Sequence, residues 1–412
     1  MELSQESDLR FIGEEEKENI LKVLESQQLC YFQYDRSLDF LGVGNYVKKF
    51  EQDFARHMGL KYALALNSGT SAVEATLGAC EILPGDEVIV TPKSFIASCM
   101  PVLAFNAIPV FADVDPRTGC LTAEDIEKKI TDRTKAILLV HLFGQPADID
   151  PIMEVAGNHD IYVIEDCAEA YDAYTKDRKV GTIGDVAAFS LQQSKHITTG
   201  EGGLIAMNND EMYERSLAYS NIGSTRGIVN QGTKGNFFSL GHNHRMSELT
   251  AAVGVAQLSK IEKFNQRRRF LVETIEEELR GVQGINLPYI YPDTRPNYWL
   301  YSIIFDKELG LGPNNIIEKC REEGVELSDE NKYWHHVPCY MEPLFEEMNR
   351  SRKTSLGFTI PDYVRYEKGV CPKLEEVALR SAIIPVHHGI PPEIVRSQAR
   401  AIRRVVERQS AR

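Results

Sequence analysis

The sequence predicts an α/β protein whose larger part is built on a mostly parallel β-sheet. Short β-rich runs alternate with helical patterns from about residue 60 to 210, and such alternation is typical of parallel strands covered by helices on both faces. The chain has 412 residues, 43% hydrophobic and 26% charged, which suits an ordinary soluble protein of two domains. Ligands of such sheets collect at the carboxyl ends of the strands.

Seven runs are predicted as strands, with helical stretches such as Ser71–Cys80 and Ala123–Lys129 between them. They are Tyr62–Leu66, Glu87–Val90, Pro109–Ala112, Ala136–Val140, Tyr162–Ile164, Val186–Ser190 and Leu204–Met207.

A long helical region from Met246 to Leu279 follows the last strand. Gly281, Gly284 and the proline-rich stretch after them are weak boundary signals. We therefore expect an N-terminal arm (1–30), a large domain that includes the long helical region (31–281) and a smaller C-terminal α+β domain (282–412).

The C-terminal arginines predict the solvated face of a closing amphipathic helix, because they recur at helical spacing beside apolar residues. The arginines are Arg396, Arg400, Arg403, Arg404 and Arg408, and the apolar residues are Ile394, Ala399, Ile402 and Val405.

Composition argues against several classes of protein. A net charge of −14 disfavours a nucleic-acid binder. Eight cysteines without a CxxC pair indicate neither a disulfide framework nor a zinc site, and they suit a reducing cytosol. No apolar run approaches the ~20 residues that span a bilayer, and no signal peptide is apparent. We expect a cytoplasmic protein without membrane or nucleic-acid partners.

The segment ALALNSGTSAVEATLGAC is predicted as strand, tight turn and helix. It places Ser68, Gly69, Thr70 and Ser71 at a helix N-terminus, where free N–H groups and the positive end of the helix dipole can bind an anion. Plain helix capping explains the same residues when they are taken alone. No GxxxxGK[ST] and no GxGxxG opening a helix is present, which argues against a P-loop or a dinucleotide fold.

Asp166 ends the apolar strand of IYVIEDCAEAYDA. A carboxylate there needs a cationic or hydrogen-bonding partner, and a protonated pyridine nitrogen would be one. A helix-capping aspartate is the alternative.

Lys195 lies in GDVAAFSLQQSKHITTGEGG, between a predicted strand and a glycine-rich turn. Such an amine can form a Schiff base with a cofactor aldehyde, whereas a lysine taken alone is more often a surface charge. An anion site, an acid and a lysine, each after a strand and in this order, together favour a cofactor that carries a phosphate, a ring nitrogen and an aldehyde.

Five segments together resemble the DegT/DnrJ/EryC1/StrS aminotransferases. They are NSGTSA, IEDCAEA, GDVAAFSLQQSKHITTGEGG, NHRMSELTAAVGVAQL and CPKLEEVALRSAIIPVH, and the resemblance runs from about Phe11 to His387. It implies the fold-type I architecture of pyridoxal 5′-phosphate enzymes that act on keto sugars and keto cyclitols.

The resemblance also implies a role for each matching residue. Lys195 would hold the cofactor as a Schiff base, and Asp166 would pair with the pyridine nitrogen. Four residues would bind the phosphate: Gly69, Thr70, Ser71 and Ser190. Phe95 would stack on the ring, although taken alone it is better explained as a core residue. Asn243 would reach the phosphate of a neighbouring subunit, which implies a homodimer with shared active sites.

Two positions depart from the family pattern. Glu169 stands where the family usually has Gln or His, which donate to the ring oxygen of the cofactor. An ionised carboxylate would be repelled there, so Glu169 is expected to be protonated, to turn away or to meet a cationic substrate group. The usual Asn-Tyr-Arg reads Asn243-His244-Arg245, which puts the role of the aromatic neighbour in doubt.

We therefore expect an aminotransferase that moves an amino group from glutamate or glutamine to a keto sugar, free or nucleotide-linked, or to a keto cyclitol. One alternative is a sugar dehydratase on the same fold, although the family's dehydratases that use the pyridoxamine form have lost the lysine. The other is a non-catalytic sensor. Candidates for substrate contact are Arg226, Arg245, Lys332, Tyr333, Trp334, His335 and His336.

Overall fold

The fold is described by a computed structural model over residues 11–31, 44–224, 237, 239–327, 337–354 and 356–411. The helices of these residues are α1 (Glu14–Ser26), α2 (Tyr46–Met58), α3 (Gly69–Ala79), α4 (Met100–Ala104), α5 (Ala123–Glu127), α6 (Ile149–His159), α7 (Asp210–Ser220), α8 (Glu248–Leu258), α9 (Ile261–Leu279), α10 (Ile316–Glu322), α11 (Pro343–Ser351), α12 (Pro372–Ala378) and α13 (Pro392–Ser410). The strands are β1 (Tyr62–Leu66), β2 (Glu87–Val90), β3 (Ile108–Phe111), β4 (Thr134–Val140), β5 (Tyr162–Asp166), β6 (Tyr174–Thr175), β7 (Arg178–Lys179), β8 (Val186–Ser190), β9 (Gly203–Met207), β10 (Ile285–Asn286), β11 (Thr294–Arg295), β12 (Leu300–Phe305) and β13 (Ser381–Pro385).

The main sheet has seven strands in the order β1-β9-β8-β5-β4-β2-β3. Strands β3, β2, β4, β5 and β8 pair in parallel, and β9 is antiparallel to both of its neighbours. The predicted mostly parallel sheet is therefore confirmed, and each observed strand begins and ends within two residues of its predicted run.

Both faces of this sheet are buried. Side chains alternate along a strand, so Leu64 and Leu66 of β1 pack in one core while Ala63 and Ala65 pack in another. Helices α3, α4, α6 and α7 contribute to the first core, and α2, α8 and the start of α9 contribute to the second. The carboxyl ends of the parallel strands remain open for a site.

A third core lies under the antiparallel sheet β10-β12-β13, between α9 and α13. Residues 337–378, by contrast, send Phe345, Tyr366 and Leu374 into the core beneath the main sheet. Part of the chain after the predicted division at residue 282 therefore shares the hydrophobic core of the main sheet. The assignment of 282–412 as a separate domain remains a prediction.

The long helical region predicted over Met246–Leu279 consists of two helices, α8 and α9. The hydroxyl of Ser259 donates to the carbonyl of Ala256 at 2.7 Å, a local hydrogen bond of the kind that competes with helix continuation.

The C-terminal helix is present as α13, and its arginines lie on the outer face. Arg396 and Arg400 bind Glu278, and Arg404 binds Glu323. The expectation for Ile394 was wrong, because this residue lies in the first turn and is 48% exposed, while Val395 is buried in its place.

No helix in the described ranges is both long and apolar enough to cross a bilayer. All eight cysteines are free thiols; Cys30 is exposed and the other seven are buried.

Candidate active site

A cavity of about 420 Å³ opens where strands β4, β5 and β8 end. The last residues of these strands, Val140, Asp166 and Ser190, all lie on its wall. Its lining consists of Ser68, Gly69, Thr70, Val73, Ser94, Phe95, Ala97, Ser98, Val140, Asp166, Ala168, Glu169, Ser190, Gln192, Ser194, Lys195, Glu201 and Trp299. The structure thus brings together seven of the nine predicted site residues, and Ser71 and Asn243 are the other two.

The N-terminus of α3 forms one end of the cavity. Ser68 is the N-cap, and its hydroxyl oxygen accepts from the backbone N–H of Ser71 at 3.0 Å. The N–H groups of Gly69 and Thr70 have no acceptor within the helix, because they belong to its first turn. They therefore make this end of the cavity suited to an anion.

Gly69 and Ser190 approach each other closely at this end. A Cβ atom on Gly69 would lie 2.7 Å from Cβ and 2.8 Å from Oγ of Ser190. Only glycine therefore allows the start of α3 to sit beside the end of β8, with the Ser190 hydroxyl next to the helix N-terminus.

Ser71 does not lie on the cavity wall, and its predicted contact with a phosphate stays a prediction. Its hydroxyl donates to the side-chain oxygen of Asn67 at 2.6 Å and contacts the Ser68 hydroxyl at 2.9 Å. Its backbone N–H is taken by the cap, and Ser68 occupies the lining in its place.

Asp166 is held by two donors at the end of β5. The Ser98 hydroxyl donates to Oδ2 at 2.9 Å, and the backbone N–H of Ala168 donates to Oδ1 at 3.0 Å. Burial raises the pKa of Asp166, and the two hydrogen bonds offset this only in part. A cationic ring nitrogen in the cavity would favour the ionised carboxylate.

Lys195 is buried on the wall of the same cavity. Its Nζ lies 3.7 Å from the centroid of the Trp299 ring and 3.6 Å from Oε1 of Glu169. Burial lowers the pKa of the amine, while Glu169 and Asp166 act in the opposite direction. The lowered pKa increases the neutral fraction, which is the nucleophilic form.

Glu169 is only 3% exposed and faces the same cavity. Its Oε2 accepts from the backbone N–H of Phe143 at 2.8 Å. Burial raises the pKa of this carboxyl group, and Lys195 and the Phe143 N–H lower it less. Of the three expectations for Glu169, protonation agrees with the direction of this shift.

Phe95 lies at the cavity mouth and is 50% exposed, so it is not a core residue. It precedes a short 3-10 turn, Ile96–Ser98, whose last residue binds Asp166. The hydroxyls of Ser94 and Ser98 lie 2.8 Å apart. The backbone that carries Phe95 is therefore fixed on both sides.

Asn243 is exposed and lies off the wall of this cavity, so a single chain does not test its predicted contact with a neighbouring subunit. Its neighbour His244 binds the Glu74 carboxylate of α3 at 2.8 Å. Arg245 donates to the side chain of Asn221 at 2.9 Å and also lies off the wall. The replacement of Tyr by His at position 244 thus ties this segment to the anion-binding helix.

Two wall residues whose side chains contact predicted site residues were not singled out from the sequence. Ser98 follows Phe95 closely, and its hydroxyl could have been proposed as a partner for a buried acid. Trp299 directly precedes β12, far along the chain from Lys195, and no local pattern signals their contact.

One cluster of possible metal ligands occurs within the described part of the chain, formed by His141, Glu165 and Cys167. Two of its three side chains are already engaged: Nε2 of His141 lies 3.0 Å from Glu165, and Nδ1 accepts from the backbone N–H of Ala147. Glu165 also accepts from three backbone N–H groups. We interpret the cluster as a buried, structural hydrogen-bonded group.

Several candidates for substrate contact lie outside the described residues. They are Arg226, Lys332, Tyr333, Trp334, His335 and His336.

Comparisons with known proteins agree with this geometry. A sequence model of the DegT/DnrJ/EryC1/StrS aminotransferase family matches residues 12–361. GDP-perosamine synthase of Caulobacter vibrioides is 38% identical over 303 residues, which cover 72% of this chain and 79% of that protein. L-glutamine:2-deoxy-scyllo-inosose aminotransferase of Streptoalloteichus tenebrarius is 32% identical over 363 residues, covering 85% and 82%. The solved structure of an aminotransferase from Psychrobacter cryohalolentis is similar with a TM-score of 0.83, at 30% identity over 97% of this chain and 98% of that one.

Proposed function

The chain belongs to the DegT/DnrJ/EryC1/StrS aminotransferase family and is a pyridoxal-phosphate enzyme, and on this premise we propose that it moves an amino group from glutamate or glutamine to a keto sugar or keto cyclitol. One relative is named for GDP-perosamine, and the other for L-glutamine and 2-deoxy-scyllo-inosose. These names support both classes of acceptor, so a screen must include both.

The residues present fit pyridoxal phosphate. The start of α3 offers unpaired N–H groups for a phosphate, in a cradle that a Cβ atom at position 69 would fill. The buried Asp166 carboxylate, whose pKa is raised in the absence of a cation, would gain a partner in the ring nitrogen. Lys195 supplies the amine, and Phe95 would lie against the ring.

The proposed chemistry divides between the cofactor and the chain. When bound, pyridoxal phosphate supplies an electron sink for the carbon that loses its proton. Lys195 would take a proton from the α-carbon of the amino donor as general base and deliver it, as general acid, to the former aldehyde carbon of the cofactor. Its lowered pKa suits both roles, because the neutral and protonated amines then lie closer in free energy.

Asp166 would hold the ring nitrogen in its protonated form. Ser98 and the Ala168 N–H keep both carboxylate oxygens in place, so that little reorganisation is needed during the reaction. The wall formed by Trp299 and Phe95 would shield the reacting carbon from water.

One observation carries the proposal: Lys195, Asp166 and the α3 N-terminus line a single cavity. The presence of Lys195 also supports amino transfer over the dehydratase alternative, in which the lysine is lost.

The test begins with the absorbance of the purified protein after addition of pyridoxal phosphate. Glutamine or glutamate should convert the spectrum of the lysine-bound form to that of the amino form, which is then used to screen keto sugars and keto cyclitols. Lys195→Ala should give neither spectrum, while the exposed-lysine control Lys61→Ala should behave as wild type. A product that has lost water without gaining nitrogen would indicate a dehydratase. Cofactor binding without turnover of any donor would indicate a sensor.

The proposal includes a homodimer in which Asn243 reaches the phosphate site of the neighbouring subunit. Mixing inactive Lys195→Ala and Asn243→Ala subunits should then restore activity, because one of the two sites in each mixed dimer has both residues intact. Mixtures that stay inactive although both variants dimerise would rule out this shared site.

A further inference from the structure

The pair of Lys195 and Glu169 holds two ionisable groups close together with little solvent. Nζ and Oε1 are 3.6 Å apart, and the side chains are 10% and 3% exposed. The other carboxyl oxygen of Glu169 is fixed by the Phe143 N–H at 2.8 Å, so the group cannot turn into solvent without losing that bond. A Gln at this position would keep the shape and the hydrogen bond but could not accept the proton.

The surroundings leave this pair without a dominant outside charge. Asp166 acts on both groups, and Arg268 and His196 interact with Lys195 from behind the wall. Lys93, whose amine lies 5.4 Å from the centroid of the Phe143 ring, acts on Glu169, and Glu201 lies on the wall of the same cavity. The electrostatic effects of these acidic and basic neighbours on the pair thus partly cancel.

Burial and Coulomb attraction act on this pair in opposite directions. A buried ammonium and carboxylate attract each other, but each ion also loses its hydration. A neutral amine beside a neutral carboxylic acid has neither the attraction nor this desolvation cost. The two arrangements contain the same number of protons and have the same net charge. Burial pushes the pKa of Glu169 up and that of Lys195 down, so the two arrangements approach each other in free energy.

We propose that Glu169 and Lys195 share one mobile proton, and that Glu169 sets the protonation state of the reacting amine. In the shift, the flexible Lys195 side chain brings Nζ from 3.6 Å to hydrogen-bonding distance of Oε1. The O–H bond of the Glu169 carboxyl then breaks as an N–H bond forms on Lys195, with no net change in charge or in bound protons. The inference rests on the proposed function in that Lys195 is the reacting amine. Because it acts through that amine, Glu169 is a positioning residue.

The proposal gives the departure from the family pattern a function. A shared proton keeps the carboxyl group neutral while the lysine is unprotonated, so no bare carboxylate would face the ring oxygen of the cofactor if Glu169 takes the place of the family's usual Gln or His. When the lysine takes up a proton during the reaction, the carboxylate of Glu169 would stabilise the ammonium at 3.6 Å.

The test measures the amine itself in the full chain without cofactor. Trace acetylation by acetic anhydride at a series of pH values, with mass spectrometry of the peptide that contains Lys195, gives the pH midpoint at which the amine becomes reactive. In Glu169→Gln the ammonium loses its counter-charge, so the midpoint should fall by at least about one pH unit, a tenfold faster labelling below the wild-type midpoint. Glu169→Asp should lie between the two proteins. The control Glu154→Gln, an exposed carboxylate on α6, should leave the midpoint unchanged.

A second measurement locates the proton. The infrared difference spectrum of wild type minus Glu169→Gln should show a protonated carboxyl band near neutral pH. An unchanged midpoint in folded Glu169→Gln protein, or only ionised-carboxylate bands throughout the labelling transition, would overturn the proposal. Failure of amino transfer with a shifted midpoint would instead contradict the proposed function and leave the proton sharing supported.

Discussion

Trp299 contacts both the amine of Lys195 and the backbone just before it, through two separate parts of the indole ring. The amine lies 3.7 Å from the ring centroid, and the indole N–H donates to the carbonyl of Ser194, the residue before the lysine, at 2.8 Å. The face of the indole ring therefore contacts the amine of Lys195, while the N–H on its edge is hydrogen-bonded to the backbone of Ser194. Trp299 fixes the direction in which the reacting amine points.

The first prediction concerns the charge of this amine. A cation–π contact is worth about 0.5–2 kcal/mol, which corresponds to about 0.4–1.5 pKa units. Trp299→Leu should therefore lower the pKa of Lys195, because the protonated form loses the ring. The pH dependence of Lys195 acetylation measures this shift. Trp299→Phe keeps a ring face and should shift the midpoint by less than half as much, so equal shifts in the two variants would refute the cation–π explanation.

The second prediction concerns the support of Asp166. Ser98→Ala removes a donor to the carboxylate, and because that bond lowers the pKa of Asp166, its loss should raise the pKa further. A hydrogen bond to a charged group contributes about 1.5–3 kcal/mol, so the rate of the donor half-reaction should fall roughly tenfold or more. The acid limb of its pH profile should move to higher pH.

Ser94→Ala is the matched control for this prediction. The Ser94 hydroxyl contacts Ser98 at 2.8 Å, and no hydrogen bond joins it to Asp166. Its loss should change the rate by a smaller factor and leave the acid limb in place. A limb that moves equally in both variants would mean that Ser98 acts only by packing.

The third prediction tests the close approach at the anion-binding helix. The added methyl group of Gly69→Ala would meet the backbone-anchored Ser190 side chain at 2.7 Å, so α3 or β8 must move apart. Overpacking of this kind costs about 1–3 kcal/mol, and we expect at least about a tenfold weaker affinity for pyridoxal phosphate by equilibrium titration.

Gly157→Ala provides the control substitution. A methyl group there meets no atom within 4 Å, and the residue lies in α6 away from the cavity. It should leave cofactor affinity unchanged and stabilise the fold by about 0.5–1 kcal/mol. Unchanged cofactor affinity in Gly69→Ala would show that the helix N-terminus does not bind the phosphate.

The parts of the site that sequence reasoning predicted share one property: each lies at the end of a strand of the main sheet or at the start of α3. Parallel strands bring their carboxyl ends to one edge by topology alone, so Asp166 and Lys195 could be placed together without knowledge of packing, whereas Ser190 was added by the resemblance to the family. The same reasoning placed the seven strands, because each is a short apolar run between helical segments.

The parts that it missed depend on tertiary packing. Trp299 reaches Lys195 because β12 lies against the end of the main sheet, a contact between segments far apart along the chain. The pattern NSGTSA contains two serines, and only the observed cap decides that Ser68 faces the cavity while Ser71 turns to Asn67. The packing of residues 337–378 beneath the main sheet has no local signature either.

The last prediction concerns stability and its pH dependence. Asp172 is only 5% exposed and binds both His57, at 2.7 Å, and Lys179, at 2.9 Å. Burial raises the pKa of Asp172, but these two partners outweigh it and hold the pKa below its ordinary value. Such a group stabilises the fold above its unfolded pKa of about 3.9, and this contribution is lost as the pH falls through the lower folded pKa.

Asp172→Asn should therefore destabilise the protein by about 2–3 kcal/mol at neutral pH, somewhat less than a fully buried pair because His57 is 25% exposed. The difference in unfolding free energy from wild type, measured by urea titration, should shrink as the pH is lowered below about 4. Asp210→Asn, which breaks the exposed pair with Lys61, should leave the urea midpoint unchanged within error. A loss in Asp172→Asn that stays constant from neutral to acid pH would mean that shape and hydrogen bonding, rather than charge, account for the contribution of Asp172.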